Sequence, residues 1–175
     1  TIEIDFVNDA PLLQDNELQN REFTEGHFPE QGDSVLLFSD QLEVADVDNK
    51  HIHHIRIQID NAPNINDETV THDNITVAYK RSEKVLETSK TVEYTFVDGF
   101  DISDCLSLLR SFKYINLASE PDGTHLRQVG ITISDQAATS NTLKLNISVT
   151  EINDNDPVFD RNKYTAIIEE NTATS

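Results

Sequence analysis

The chain has 175 residues, 32 of them Asp or Glu against 13 Lys and Arg, with a net charge of −19 and a hydrophobic share of 37%. That length accommodates one substantial core or two small domains, and the acidic excess repels phosphate backbones and anionic lipid, so nucleic-acid and membrane-surface binding are not expected. No apolar run approaches the roughly 20 residues of a membrane span, and the first residues lack the layout of a signal peptide, so any such segments of a parent protein are expected outside this chain.

Alternation of apolar and polar residues marks half-buried strands. In chain order, Ser34 to Val44 is a weak strand candidate, and Ile55, Ile57 and Ile59 form a strong one. Asn61 to Asp73 is a polar separator, Ile75 to Tyr79 another weak strand, and Lys80 to Lys90 a charged stretch suited to an extra hairpin or loop. Val92, Tyr94 and Phe96 then alternate, and Ser103 is placed to cap a short helix in which Leu106, Leu109 and Phe112 recur at helical spacing. After the polar stretch Glu120 to Thr124 come two further strong strands, Val129/Ile131/Ile133 and Leu143/Leu145/Ile147/Val149, and finally a weak candidate at Tyr164 to Ile168. Many short alternating strands predict an all-β sandwich, with one short helix as an exception.

The two ends of the chain look alike. Asp5-Phe-Val-Asn8-Asp9-Ala-Pro11 and Glu151-Ile-Asn153-Asp154-Asn155-Asp156-Pro157 share the acid-to-proline spacing, as expected for the boundaries of one repeat in a tandem array. Residues 1–11 read as the end of a preceding repeat and its linker, 12–157 as a complete repeat, and 158–175 as the start of the next.

The segment from Glu151 to Phe159 resembles the inter-repeat linker of cadherins, in which an acidic residue, Asn-Asp-Asn, proline and an aromatic follow in order. Arg21-Glu-Phe-Thr-Glu25-Gly26, Asp46-Val-Asp48-Asn49, Leu117-Ala-Ser-Glu120 and Ile131-Thr-Ile-Ser-Asp135 are similar to further cadherin elements in the family's order. Glu151 stands where the family usually has Asp, and Ala118 replaces an Asp. The resemblance implies a Greek-key β-sandwich of cadherin or immunoglobulin-like type and two Ca²⁺ sites at its opposite ends. Glu25, Glu120, Glu151, Asn153, Asp154 and Asn155 would serve the distal site; Asp46, Asp48 and Asp135, with Asp5, Asn8 and Asp9 from the preceding linker, would serve the proximal one. Neighbouring repeats would complete both, since calcium takes six to eight oxygens.

What the resemblance implies for function is calcium-dependent cell adhesion or cell–cell recognition by one rigid repeat of a larger ectodomain at the cell surface. The partners the resemblance implies are neighbouring repeats and a protein on an opposing cell or in the matrix, a second copy of the same protein included. Cadherin-type sandwiches have on the order of 100 residues, so residues 60–112 read as an insertion, and a second function class follows: a calcium-stabilised receptor or matrix module acting through that insertion, which deletion should separate from an intact sandwich. Asn74-Ile-Thr76 and Asn146-Ile-Ser148 are glycosylation acceptor tripeptides. His51, His53 and His54 are either a zinc or pH-sensing group or a solvated strand start, and Cys105, the only cysteine, reads as a buried apolar thiol. No nucleophile elbow, zinc-protease helix or phosphate-cradling glycine loop is present, so no enzymatic activity is expected.

Overall fold

The computed structural model describes residues 7–26, 34–73, 75–154 and 157–165. Its largest sheet has six strands in the order β2 (Arg21–Thr24), β11 (Leu143–Thr150), β10 (Arg127–Ser134), β5 (His51–Asp60), β8 (Ser89–Asp101) and β7 (Lys80–Leu86). All neighbours are antiparallel except β2 and β11, which run parallel. Two smaller sheets form the opposing layer: β1 (Leu12–Asp15) with β4 (Leu42–Ala45), and β3 (Val35–Leu36), β9 (Lys113–Asn116) and β6 (Glu68–Thr71). The protein is thus an all-β sandwich, and the four strong alternating segments all lie in the large sheet with their apolar members buried, Leu143 only partly.

In β5 the buried residues Ile52 and Ile55 are three apart, which strict alternation forbids. The ladder to β8 shifts register between Ile52 and His54, as a bulge must when a strand changes parity. Opposite the shift sits Gly99 at φ 79°, where an added Cβ would stand 2.8 Å from His51 Cβ, so only glycine fits both the backbone and the space.

The helix α1 spans Ile102–Ser111 and begins after Asp101 rather than at Ser103. Asp101 makes no side-chain cap; its carboxylate is 3.2 Å from His51 Nε2 instead. The buried face of α1 is Cys105, Leu108 and Leu109, followed by Phe112, with Leu106 only partly covered. It packs on β4, β5 and β8, and Arg110 donates to the Leu42 carbonyl at 2.8 Å.

Three weak expectations resolve differently. Ser34 to Val44 is broken into β3 and β4 because Ser39 turns inward, its amide and hydroxyl both donating to the Asp15 carboxylate; the halves join different sheets. Ile75 to Tyr79 forms no strand and instead crosses α1 beside Ser107 and Leu108, with Ile75 and Val77 half-buried. Tyr164 and Thr165 lie outside any strand, and the remainder of that candidate lies outside the described residues.

The polar separator at 61–73 contains β6, and the reason is an ion pair. Glu68 on β6 and Arg127 on β10 are both fully buried, with Arg127 Nη2 donating to Glu68 Oε1 at 2.9 Å across the two layers. Tyr114 on β9 donates its hydroxyl to Glu68 Oε2 at 2.7 Å; burial first, then the Glu68 charge, pushes that phenol well above its ordinary pKa. Neutralised in this way, a glutamate can occupy a core position that alternation alone would reserve for an apolar residue.

Candidate oxygen clusters at the two poles

Antiparallel pairing sends the ends of β1, β4, β5, β10 and β11 to two opposite poles of the sandwich, and the acidic residues gather there. At the first pole Asp46 and Asp48 follow β4, Asp135 follows β10, and Asn8 and Asp9 lead into β1. The side-chain amide of Asn8 donates to Asp135 Oδ2 at 2.9 Å, and the Asp9 backbone amide donates to Asp48 Oδ2 at 3.0 Å. Asn49 joins them, its amide reaching Asn8 Oδ1 at 2.7 Å and Asp135 Oδ2 at 3.0 Å. Three separate segments therefore converge on one oxygen-rich point. Asn49 belongs to the motif quoted from the sequence yet was not among its expected ligands; its place directly after Asp48 was the available signal.

The two central carboxylates differ electrically. Burial raises the pKa of Asp46 above its ordinary value, and the Asp48 side chain and then the Asp135 charge add to the rise, outweighing hydrogen bonds from the Asn49 and Asp48 amides. Its Oδ2 is buried with no hydrogen-bond partner. Burial acts the same way on Asp135, but hydrogen bonds from the Ala138 amide, the Asn8 side chain and the Ala137 amide bring its pKa below the ordinary value.

At the second pole Glu25, Glu120, Glu151 and Asn153 line one cleft of about 550 Å³. Glu25, placed by the parallel β2–β11 pair, is buried and accepts from the Ile152 amide at 2.8 Å. Glu151 Oε1 accepts from the Gly123 amide at 2.6 Å. The cleft also includes Asp122, which sequence reasoning passed over although it stands two residues after Glu120. Hydrogen bonds from Thr124 and then His125 lower the Asp122 pKa to about 2, keeping it ionised in the same cleft as Glu120. The wall carrying Asp122 is anchored from within: Arg127 donates to the carbonyls of Asp122 and His125, and Asn64 Oδ1 accepts from the Asp122 amide. Asp154 does not line the cleft; its amide donates to the Ile152 carbonyl at 3.0 Å.

Asp5, Asn74 and Asn155 lie outside the described residues. Among the described residues no three His, Cys, Asp or Glu side chains gather tightly enough to hold a metal by themselves, so a cation at either pole would draw on amide and backbone oxygens as well. The three strand histidines do not converge: His51 meets Asp101, His53 Nδ1 the Phe96 carbonyl, and His54 Nδ1 the Thr95 hydroxyl. Cys105 is buried, and burial pushes its thiol pKa up to about 12.

No family model matches the chain and no curated protein sequence matches it. Among solved structures it is similar to the cohesin module of a family 33 glycoside hydrolase from Clostridium perfringens, at 8% identity and a TM-score of 0.39, over 82% of this chain and 100% of that one. A likeness that distant carries no function.

Proposed function

We propose that the chain is one calcium-rigidified extracellular repeat of a larger ectodomain, serving calcium-dependent adhesion or recognition at a cell surface. The observation that carries this reading is the first pole, where residues before β1 meet residues after β4 and β10, and a buried Asp46 oxygen has no partner. The donor set is all oxygen, which suits a hard divalent cation such as calcium rather than zinc or copper. Asn8, Asp9, Asp46, Asp48, Asn49 and Asp135 would hold the ion at that pole, and Glu25, Glu120, Asp122, Glu151 and Asn153 would contribute at the other. Bound calcium would supply the positive charge that these carboxylates lack. The chain's own part is to place linker and repeat donors on one point, so that neutralising them joins the two.

Without cations the gathered carboxylates repel one another and oppose the compact state. A ligand that binds only the folded arrangement raises its stability by mass action. The test is the melting temperature of the chain, extended by its neighbouring repeats, in millimolar calcium and in chelator. A rise that Asp48→Ala removes is expected; equal melting in both solutions would defeat the reading.

A second reading, a receptor or matrix module acting through residues 60–112, is favoured by one observation. Every residue of β7 is exposed, so the β7–β8 hairpin offers a strand edge of seven solvent-facing side chains. Shortening that hairpin at its Leu86–Ser89 turn would abolish partner binding on this reading, and would leave it intact on the first.

A further inference from the structure

The outer face of the large sheet is hollowed around Gly130. Lys144 on β11 and Gln58 on β5 are its direct ladder partners, and together with Gln128, Thr132 and Arg56 they line a groove of about 450 Å³. Gly130 is not at positive φ, so space rather than backbone freedom is what its missing side chain provides; a Cβ would enter the groove 3.4 Å from Thr142 Cγ2.

Asn146 lines the same groove. It pairs with Gln128, so Gly130 is its diagonal neighbour, about 7–8 Å away in an antiparallel ladder. It also heads the acceptor tripeptide Asn146-Ile147-Ser148. Its backbone amide and its Nδ2 both donate to Asn20 Oδ1, at 3.2 and 3.3 Å. Since Nδ2 carries two hydrogens, replacing one leaves the other free to keep that bond.

We propose that Asn146 carries an N-linked glycan whose first sugars lie in the groove over Gly130. This rests on the extracellular reading, because attachment occurs in the secretory route. In the transfer, Asn146 Nδ2 forms a bond to the anomeric carbon of an oligosaccharide linked to a lipid pyrophosphate. The carbon–oxygen bond to the pyrophosphate breaks, the lipid pyrophosphate leaves with the electron pair, and one Nδ2 proton passes to a base of the transferase. The groove suits a polyhydroxylated occupant: Gln128 both donates and accepts, Thr132 offers a hydroxyl, Arg56 and Lys144 donate only, and Asp60, which already holds the Gln58 side-chain amide, accepts. The step from Asn146 to Gly130 spans about one sugar ring beyond the side chain, so the hollow lies where the first residue of the glycan falls.

The experiment is secretion of the chain from a eukaryotic cell, glycopeptide mapping of the Asn146 segment, and timed release by a peptide N-glycosidase from native and denatured protein. The expected result is an occupied Asn146 whose glycan is released several-fold more slowly from the native protein. Gly130→Gln, which fills the hollow, should leave occupancy unchanged and bring native release up to the denatured rate, while Ser148→Ala should remove the modification. Magnetisation transfer from the N-acetyl methyl of the first sugar to Thr132 gives a second readout on the unaltered chain. An unmodified Asn146, or native release as fast as denatured release, overturns the proposal. Melting in calcium and in chelator, run on glycosylated and deglycosylated samples, tests the functional reading separately: a calcium response without a seated glycan leaves that reading standing.

Discussion

Asp46 and Asp135 stand at the same pole and respond oppositely to pH. The carboxyl of Asp46 sits above its ordinary pKa, so in chelator the folded state loses stability as pH rises through that titration. Asp135 sits below its ordinary value, so its contribution is present above the usual carboxylate range and is lost as pH falls through the lower folded value. Asp46→Asn should therefore leave the calcium-free melting temperature at neutral pH unchanged or higher, while Asp135→Asn lowers it; equal losses in both would contradict the assignment. Asp46, Asp48 and Asp135 were legible in the sequence because they sit in short motifs. Glu68 and Arg127 were not, because charged side chains 59 positions apart give no local sign of pairing. Arg127→Met should cost about 3–5 kcal/mol in urea unfolding, since it leaves Glu68 buried with its charge uncompensated.

The elements show why the 60–112 segment cannot be lifted out. It was expected to be separable, yet β8 supplies Val92, Tyr94, Phe96 and Phe100 to the core, and α1 with its following residue supplies Cys105, Leu108, Leu109 and Phe112. β8 is also the partner of β5, at the middle of the large sheet. Deleting the whole segment should unfold the protein, whereas cutting the β7–β8 turn should not. Leu109→Ala is expected to lower stability by about 2–5 kcal/mol, as truncation of a fully buried leucine does. Cys105 should resist an aromatic disulfide reagent until denaturant is added, since it is buried and its thiol stays protonated. Strands with one wet face were readable because burial imposes a period of two. β7, wet on both faces, carries no period, and β6 conceals its core position behind a paired charge.

Across the whole molecule, 32 acids against 13 bases make charge the principal term that solution conditions can alter. Monovalent salt should raise the melting temperature modestly by screening, and millimolar calcium should raise it more at far lower ionic strength; equal effects at matched ionic strength would mean screening alone. The sandwich itself was legible because four strong strands fall in one sheet. The sorting of acids into two poles came from the resemblance of their motifs to cadherin elements and not from any strand pattern, and the wall bearing Asp122 depends on contacts from Arg127 and Asn64 that no local pattern announces.

The parallel pairing of β2 with β11 also fixes how the protein meets a mechanical load. Tension drawn through the two ends of the sandwich pulls β11 toward the second pole and β2, through β1, toward the first. Because the strands run the same way, this force slides one along the other and stretches the Arg21–Thr24 ladder collectively, where an antiparallel terminal hairpin would unzip one bond at a time. Resistance to pulling is set by the rate of crossing that barrier rather than by equilibrium stability, so a change in the Arg21–Thr24 ladder should alter the force of unfolding more than the melting temperature.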